Sequence, residues 1–244
     1  MQKTDAKTAD GGIVEKMFVA GAHYGYGRSR RHPSASPYIF TTKNKTDIID
    51  LEKTSLMLER AAEFAKTLGA RGKVVLFVGT KPPAKSAIKT LAESLNMPFV
   101  IERWIGGTLS NFSEIKKRIA ELQAYRQDSK EGNLEKYTKK ERLMLAKKME
   151  KLSKYYSGLT ELKKAPDALF IIDPKEEYIA ATEGRKQGIP IIGLLNSDSD
   201  ISSIDYPILG NDAAIPSIAF FAATVVQAYR EGQSAAPIAA KVPA

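Results

Sequence analysis

Short apolar runs that alternate with helix-length amphipathic stretches leave this chain few folds to choose from. Val74–Val78, Ala168–Ile172 and Ile189–Leu195 are compact and apolar almost throughout, and Phe99–Ile101 is a shorter run of the same kind. Strands that show no polar face are covered on both sides, the condition of a parallel sheet between helices. The segments between them read as helices: Lys53–Leu68 ending at Gly69, about Ala84–Leu95, Glu176–Gln187 closed by Gly188, and about Ala213–Tyr229. Pro216 falls in the first turn of the last of these, where a missing N–H costs nothing. A short apolar segment, Asp47–Leu51, precedes the first helix. The pattern predicts βαβ units and an α/β fold with a mainly parallel sheet.

The alternation breaks between Ser113 and Lys164. Ile115, Ile119, Leu122 and Tyr125 recur at steps of four, three and three, and Leu145, Met149, Leu152, Tyr156, Leu159 and Leu162 continue the rhythm. That is the narrow seam of a two-helix coiled coil, with Gly132-Asn133 as the turn and Thr138 with Glu141 as a capping box. An antiparallel hairpin inserted into the α/β domain is predicted, its seam residues packing mainly on one another. The expected division is a flexible tail over 1–12, a first α/β part with a basic N-terminal arm over 13–112, and the hairpin over 113–164. The second α/β part then covers 165–231, and another tail 232–244.

Charge narrows the partner. The chain carries 37 Lys and Arg against 28 Asp and Glu, a formal charge of +9. The hairpin segment holds 15 of the basic residues against 8 acidic ones, so most of the excess is concentrated there. A basic excess of this size favours a polyanion whose condensed counterions it can displace. The lack of cysteine excludes disulfides, zinc ribbons and thiol catalysis. Met1–Gly12 holds no apolar run, so no secretory signal is expected, and no stretch approaches the ~20 apolar residues of a membrane span.

Enzyme chemistry is poorly supplied. Val78-Gly79-Thr80-Lys81 could hold a phosphate on backbone N–H groups, but Pro82-Pro83-Ala84 stands where a P-loop continues. Gly25-Tyr26-Gly27 lacks the preceding strand and third glycine of a dinucleotide fingerprint. Asp173, followed by Pro174 and a helix, reads as an N-cap, and Asn196–Asp200 as a polar turn. His23 and His32 are the only histidines, too few for a zinc site or a catalytic triad. No cofactor and no metal are expected. The competing reading is a nucleotide-dependent α/β enzyme with a helical arm as lid or dimer contact, and a pocket near Gly79 or Asn196.

The densest nucleic-acid signal is His23-Tyr24-Gly25-Tyr26-Gly27-Arg28-Ser29-Arg30-Arg31-His32-Pro33. Arginines offer bidentate phosphate contacts, and Tyr and His rings can stack on unpaired bases. The stretch has no apolar periodicity, so Arg28, Arg30 and Arg31 are expected to be free of the fold.

Ordered blocks along the chain then carry a resemblance. Ala20–Gly25, Pro37–Phe40, Leu76–Lys81, Arg103–Phe112, Ala168–Pro174, Gly188–Pro190 and Ile204–Asp212 together resemble the family of small-subunit ribosomal protein two, from about Val14 to Arg230. The resemblance implies a flavodoxin-like three-layer domain with a protruding coiled coil and no enzymatic activity. It also implies a cytoplasmic place in the small ribosomal subunit, on 16S rRNA between head and body, next to neighbouring ribosomal proteins. Docking of the mRNA-binding ribosomal protein one is implied as well. The RNA-binding set expected on both grounds is His23, Tyr24, Tyr26, Arg28, Arg30, Arg31, Lys43, Lys45, Lys81, Arg103, Trp104, Asn111, Lys116 and Lys117. The chain departs from the family pattern at Tyr26 and His32, where His and Trp are common, at Ser34-Ala35-Ser36, at Pro82-Pro83, and at Asn196.

Overall fold

The structure, a computed structural model, describes residues 6–235. Helix α1 (Ala6–Val19) leads into a small antiparallel sheet of β1 (Tyr24–Gly27), β2 (Ile39–Lys43) and β3 (Thr46–Ile49), ordered β1-β3-β2. There follow α2 (Leu51–Ala70), β4 (Val75–Val78), α3 (Pro82–Ser94), β5 (Phe99–Val100), α4 (Phe112–Glu131) and α5 (Lys139–Tyr156). The chain continues through β6 (Ala168–Ile172), α6 (Tyr178–Lys186), β7 (Ile191–Leu195), β8 (Tyr206–Leu209) and α7 (Ile215–Ala235).

The main sheet runs β5-β4-β6-β7-β8 with every neighbouring pair parallel. Counted within that sheet the order is 2-1-3-4-5, the flavodoxin-like arrangement. Strands β4, β6 and β7 are buried along their whole length, as their apolar runs require. Alternation splits them between two cores. Val75, Phe77, Phe170 and Leu194 face α2, α3 and α7, while Leu76, Val78, Leu169 and Leu195 face the side covered by α6. Three α/β layers result.

Helices α4 and α5 form where the seam pattern predicts helix, and Thr138 and Glu141 make both bonds of the capping box. Ile115, Ile119, Leu122, Met149 and Tyr156 are buried. They are not sealed off from the domain, however. Together with Leu159 and Leu162 they belong to one apolar cluster with Leu76, Val78, Val100 and Leu169 of the sheet. At Gly158 the returning chain touches β5 so closely that a Cβ would lie 2.2 Å from the Phe99 carbonyl oxygen. The base of the inserted segment therefore touches the core of the domain.

The predicted helix and strand positions agree to within a few residues. The small sheet and β8 were not expected. Glycines interrupt β1 and Pro207 interrupts β8, so neither reads as a strand from residue preference alone. The predicted tails also differ in part, since α1 begins at Ala6 and α7 extends to Ala235. Residues 1–5 and 236–244 of those tails lie outside the described residues.

Candidate nucleic-acid interface

Open sheets of this order commonly take ligands where the strand order reverses, outside the carboxyl ends of the first and third strands. Here those strands are β4 and β6, and the chain fills the place with its own charges. Lys81, just past β4, pairs with Asp173 at the end of β6 and with Asp212 beyond β8, the latter at 2.7 Å. Asn196, past β7, donates to the other Asp212 oxygen at 2.9 Å. Burial by itself lowers the pKa of Lys81, but hydrogen bonds to Asp173 and Asp212 outweigh it and hold the ammonium above its ordinary range. Burial and the nearby Asp173 raise that of Asp212, against the pull of Lys81 and Asn196.

The loop offers little else to a phosphate. The Thr80 N–H donates to the buried Glu177 carboxylate at 3.1 Å, and Pro82 and Pro83, which have no N–H, open α3. Strand β1 roofs the cluster. The Tyr26 N–H donates to the Ser197 hydroxyl at 2.9 Å, and its ring lies 6.0 Å from Lys81 Nζ. A Cβ on Gly25 would stand 3.0 Å from Ser197 Oγ and 3.1 Å from the Asp47 carbonyl, so any larger residue would push the strand or its neighbours a few tenths of an ångström apart. Asp173 also accepts from Lys175 N at 3.1 Å and Glu176 N at 3.3 Å, in a turn ahead of α6; the expected N-cap is displaced, since the residue that caps α6 itself is Glu177.

Four members of the expected RNA-binding set are engaged inside the fold. Arg31 donates through Nε to Asp47 at 2.6 Å and through Nη2 to both Asp47 and Thr42, the latter at 2.8 Å. Asp47 is 0% exposed, and the Arg31 hydrogen bonds hold its carboxyl below the usual range. The expectation that all three arm arginines are free thus fails for Arg31, because β3 buries a carboxylate that must be neutralised. Lys81 is held by its aspartates. The His23 ring is 9% exposed and packs against Phe18 and Tyr24, at centroid distances of 4.5 and 4.1 Å. Trp104 is 4% exposed, packed in the cluster that contains Val78 and Val100.

The rest of the set is on the surface. Tyr24, Arg28, Arg30, Lys43 and Lys45 are exposed on the small sheet and its turns, with Arg30 5.9 Å from the centre of the half-buried Tyr26 ring. Asn44 and Lys45 both have positive φ, as a two-residue hairpin turn needs, and the Lys45 carbonyl accepts from Arg28 N at 2.9 Å. Arg28 and Arg30 enter no ion pair among the described residues. Arg103, Asn111, Lys116 and Lys117 are exposed around the start of α4. Sequence reasoning missed the residue that shapes this second region: the buried Glu183 of α6 accepts from the N–H groups of Gly107 (2.6 Å), Leu109 (2.9 Å) and Ser110 (3.3 Å). Its only signal was a carboxylate among Ala180, Ala181 and Gly184, the small, buried face of the helix.

A family model described as Ribosomal protein S2 matches residues 17–232. The chain belongs to the ribosomal protein S2 family. It is 41% identical over 223 residues to the small ribosomal subunit protein uS2 of Wolinella succinogenes, covering 91% of this chain and 82% of that protein. It is 42% identical over 221 residues to the protein of the same name from Helicobacter hepaticus, covering 91% and 84%. The S2 family is one of structural ribosomal proteins, not of enzymes. The S2 fold accordingly has its ligand crevice closed by Lys81 and roofed by Tyr26 in this chain.

Proposed function

We propose that this chain is a structural constituent of the small ribosomal subunit, acting in translation in the bacterial cytoplasm and binding small-subunit rRNA. Membership of the S2 family over residues 17–232 carries the reading. The exposed basic residues of the arm, Arg28, Arg30, Lys43 and Lys45, and those near α4, Arg103, Lys116 and Lys117, supply its phosphate contacts. Tyr24 and Tyr26 offer rings to unpaired bases. The site lies between head and body, and the chain helps to dock the mRNA-binding ribosomal protein one.

The inserted segment serves as an antiparallel coiled-coil hairpin reaching along the RNA. Seam burial at Ile119, Leu122 and Met149, the Lys148–Glu121 pair and an Arg126–Ser153 hydrogen bond of 3.0 Å support that role.

Sedimentation tests the whole reading. Tagged protein should travel with small subunits and leave them as salt rises, with log affinity falling by about 0.7–0.9 per phosphate neutralised. Salt-independent association, or a protein found only free of ribosomal particles, would sink it.

A further inference from the structure

The basic arm is physically continuous with a notch that the RNA-binding set does not include. Tyr26 N–H donates to the Ser197 hydroxyl at 2.9 Å and His32 N–H to the Ser197 carbonyl at 2.8 Å. The residues between are also tied to the small sheet, Arg28 through its N–H to the Lys45 carbonyl and Arg31 through Asp47, while the Arg28 and Arg30 side chains stay exposed. Beyond Ser197, His32 joins Lys175, Tyr178, Ala181, Arg185 and Ser199 around a notch of about 370 Å³. That size falls at the lower end of ligand sites, roughly 300–1,000 Å³.

Tyr178, Ala181 and Arg185 are spaced three and four apart and so share one face of α6. Tyr178 is 64% exposed, and Arg185 is exposed and enters no ion pair among the described residues. Ser199 is buried and its hydroxyl has no hydrogen-bond partner. The wall of the notch therefore holds one polar group that the protein itself does not satisfy.

An open aromatic ring, a free guanidinium further along the same face and an unmatched hydroxyl in the lining suit a stacked nucleotide. An acidic peptide fits less well. Asp198 and Asp200 also line the notch, and although Lys175 lies 2.6 Å from Asp198 and His32 3.8 Å from Asp200, their carboxylates would repel a second acidic chain. A base carries no such charge, and its amino groups can donate to them.

We propose that this notch seats one unpaired nucleotide of the RNA that crosses the arm, its base against Tyr178 and its phosphate at Arg185. The proposal rests on the RNA-binding reading above and adds to it a defined contact for a single nucleotide.

The test uses the full chain and a protein-free transcript of the small-subunit rRNA. Affinity is measured across salt concentrations, and protected nucleotides are mapped by chemical probing. Tyr178→Ala should weaken binding about tenfold, a typical loss for one base–aromatic stack, and Tyr178→Phe should restore it. Arg185→Ala should lower the salt slope by about 0.7, the share of one phosphate on a single strand. Each Ala variant should erase protection at the same nucleotide and leave the remaining footprint intact. Both side chains are exposed, so circular dichroism melting should not change.

If both variants bind at full strength with unchanged footprints while Arg28→Ala/Arg30→Ala weakens binding, the arm meets RNA and the notch does not. If, in small subunits reconstituted with these variants, a neighbouring ribosomal protein is lost while the RNA footprint stays intact, the notch belongs to a protein and the proposal is overturned. If the wild-type chain fails to bind the transcript at all, the RNA-binding reading falls and this contact with it.

Discussion

Arg31 and Lys81 differ from Arg28 and Arg30 in one respect, the presence of a buried carboxylate within reach. Arg31 meets Asp47, and Lys81 meets Asp173 and Asp212. Arg28 and Arg30, in the same arm as Arg31, turn outward and enter no ion pair among the described residues. The same chemical groups are thus internal struts in one place and surface charge a few residues away. Basic residues near a nucleic-acid surface divide by where their counter-charge sits. Those neutralised by the protein hold the fold, and the others remain for phosphates.

The comparison breaks most visibly at Lys81. Lys81→Met keeps much of the volume but leaves Asp173 and Asp212 facing each other without a cation. The loss should be about 3 kcal/mol, the low end for a broken buried pair, because the Lys81 side chain remains 18% exposed. The deficit should narrow as pH falls. Asp212 is already pushed up by burial and by Asp173, and without Lys81 its protonation would relieve both. Denaturant unfolding across pH checks this. A variant as stable as wild type at neutral pH would mean that the crevice accepts water or another cation in place of the lysine.

Arg31→Ala should cost less, about 2 kcal/mol, since the guanidinium is partly exposed although Asp47 is not. The deficit should again narrow as pH falls, here because wild type loses the stability that the Arg31–Asp47 pair supplies. Asp47 titrates below the usual carboxylate range in the folded chain, chiefly through its hydrogen bonds to Arg31. The stability it contributes is therefore complete above the unfolded carboxylate pKa and is lost as pH falls through the lower, folded value. Wild type should show this acid-side loss, and Arg31→Ala should flatten it. Melting temperatures taken from neutral pH downward would decide, and an unchanged acid slope would remove Arg31 from the fold.

Much of the frame was legible because local pattern and burial agree there. The apolar runs at Val75–Val78 and Ala168–Ile172 can be satisfied only in a sheet covered on both faces, and they are. The Thr138–Glu141 box needs only four adjacent residues, so its sequence sufficed. The site was less legible because its decisive contacts join residues far apart in the chain. Lys81 and Asp212 are 131 positions apart, and nothing near Lys81 announces the partner. Arg31 and Asp47 meet only because the chain forms an antiparallel sheet whose first strand, Tyr24–Gly27, is half glycine and carries no strand signal. The seam of α4 and α5 was legible as a pattern, but not the place where it meets the domain. Heptad spacing specifies which face is apolar, not what covers it, and at Ile115, Leu159 and Leu162 part of the cover is the main sheet.

The smallest effect on stability should come from Arg28→Ala/Arg30→Ala, and that small effect is what makes the variant informative. Arg30 lies 5.9 Å from the Tyr26 ring centre, an exposed cation–π contact of about 0.5–1 kcal/mol at most. Arg28 is tied to the fold through its backbone N–H, which donates to Lys45, and alanine retains that bond. Thermal unfolding should therefore shift by less than about 1 kcal/mol. Association with rRNA should respond differently, because each phosphate that loses its arginine also stops releasing counterions. The slope of log affinity against log salt should fall by about 1.4–1.8 for two phosphates. Arg28→Lys/Arg30→Lys separates charge from geometry. It should keep the slope while losing part of the affinity if the contacts are bidentate, and lose nothing if they are point charges. A large fall in stability for the Ala variant would move both arginines to the side of Arg31. An unchanged slope with unchanged stability would leave the outer face of the arm without a role in RNA binding.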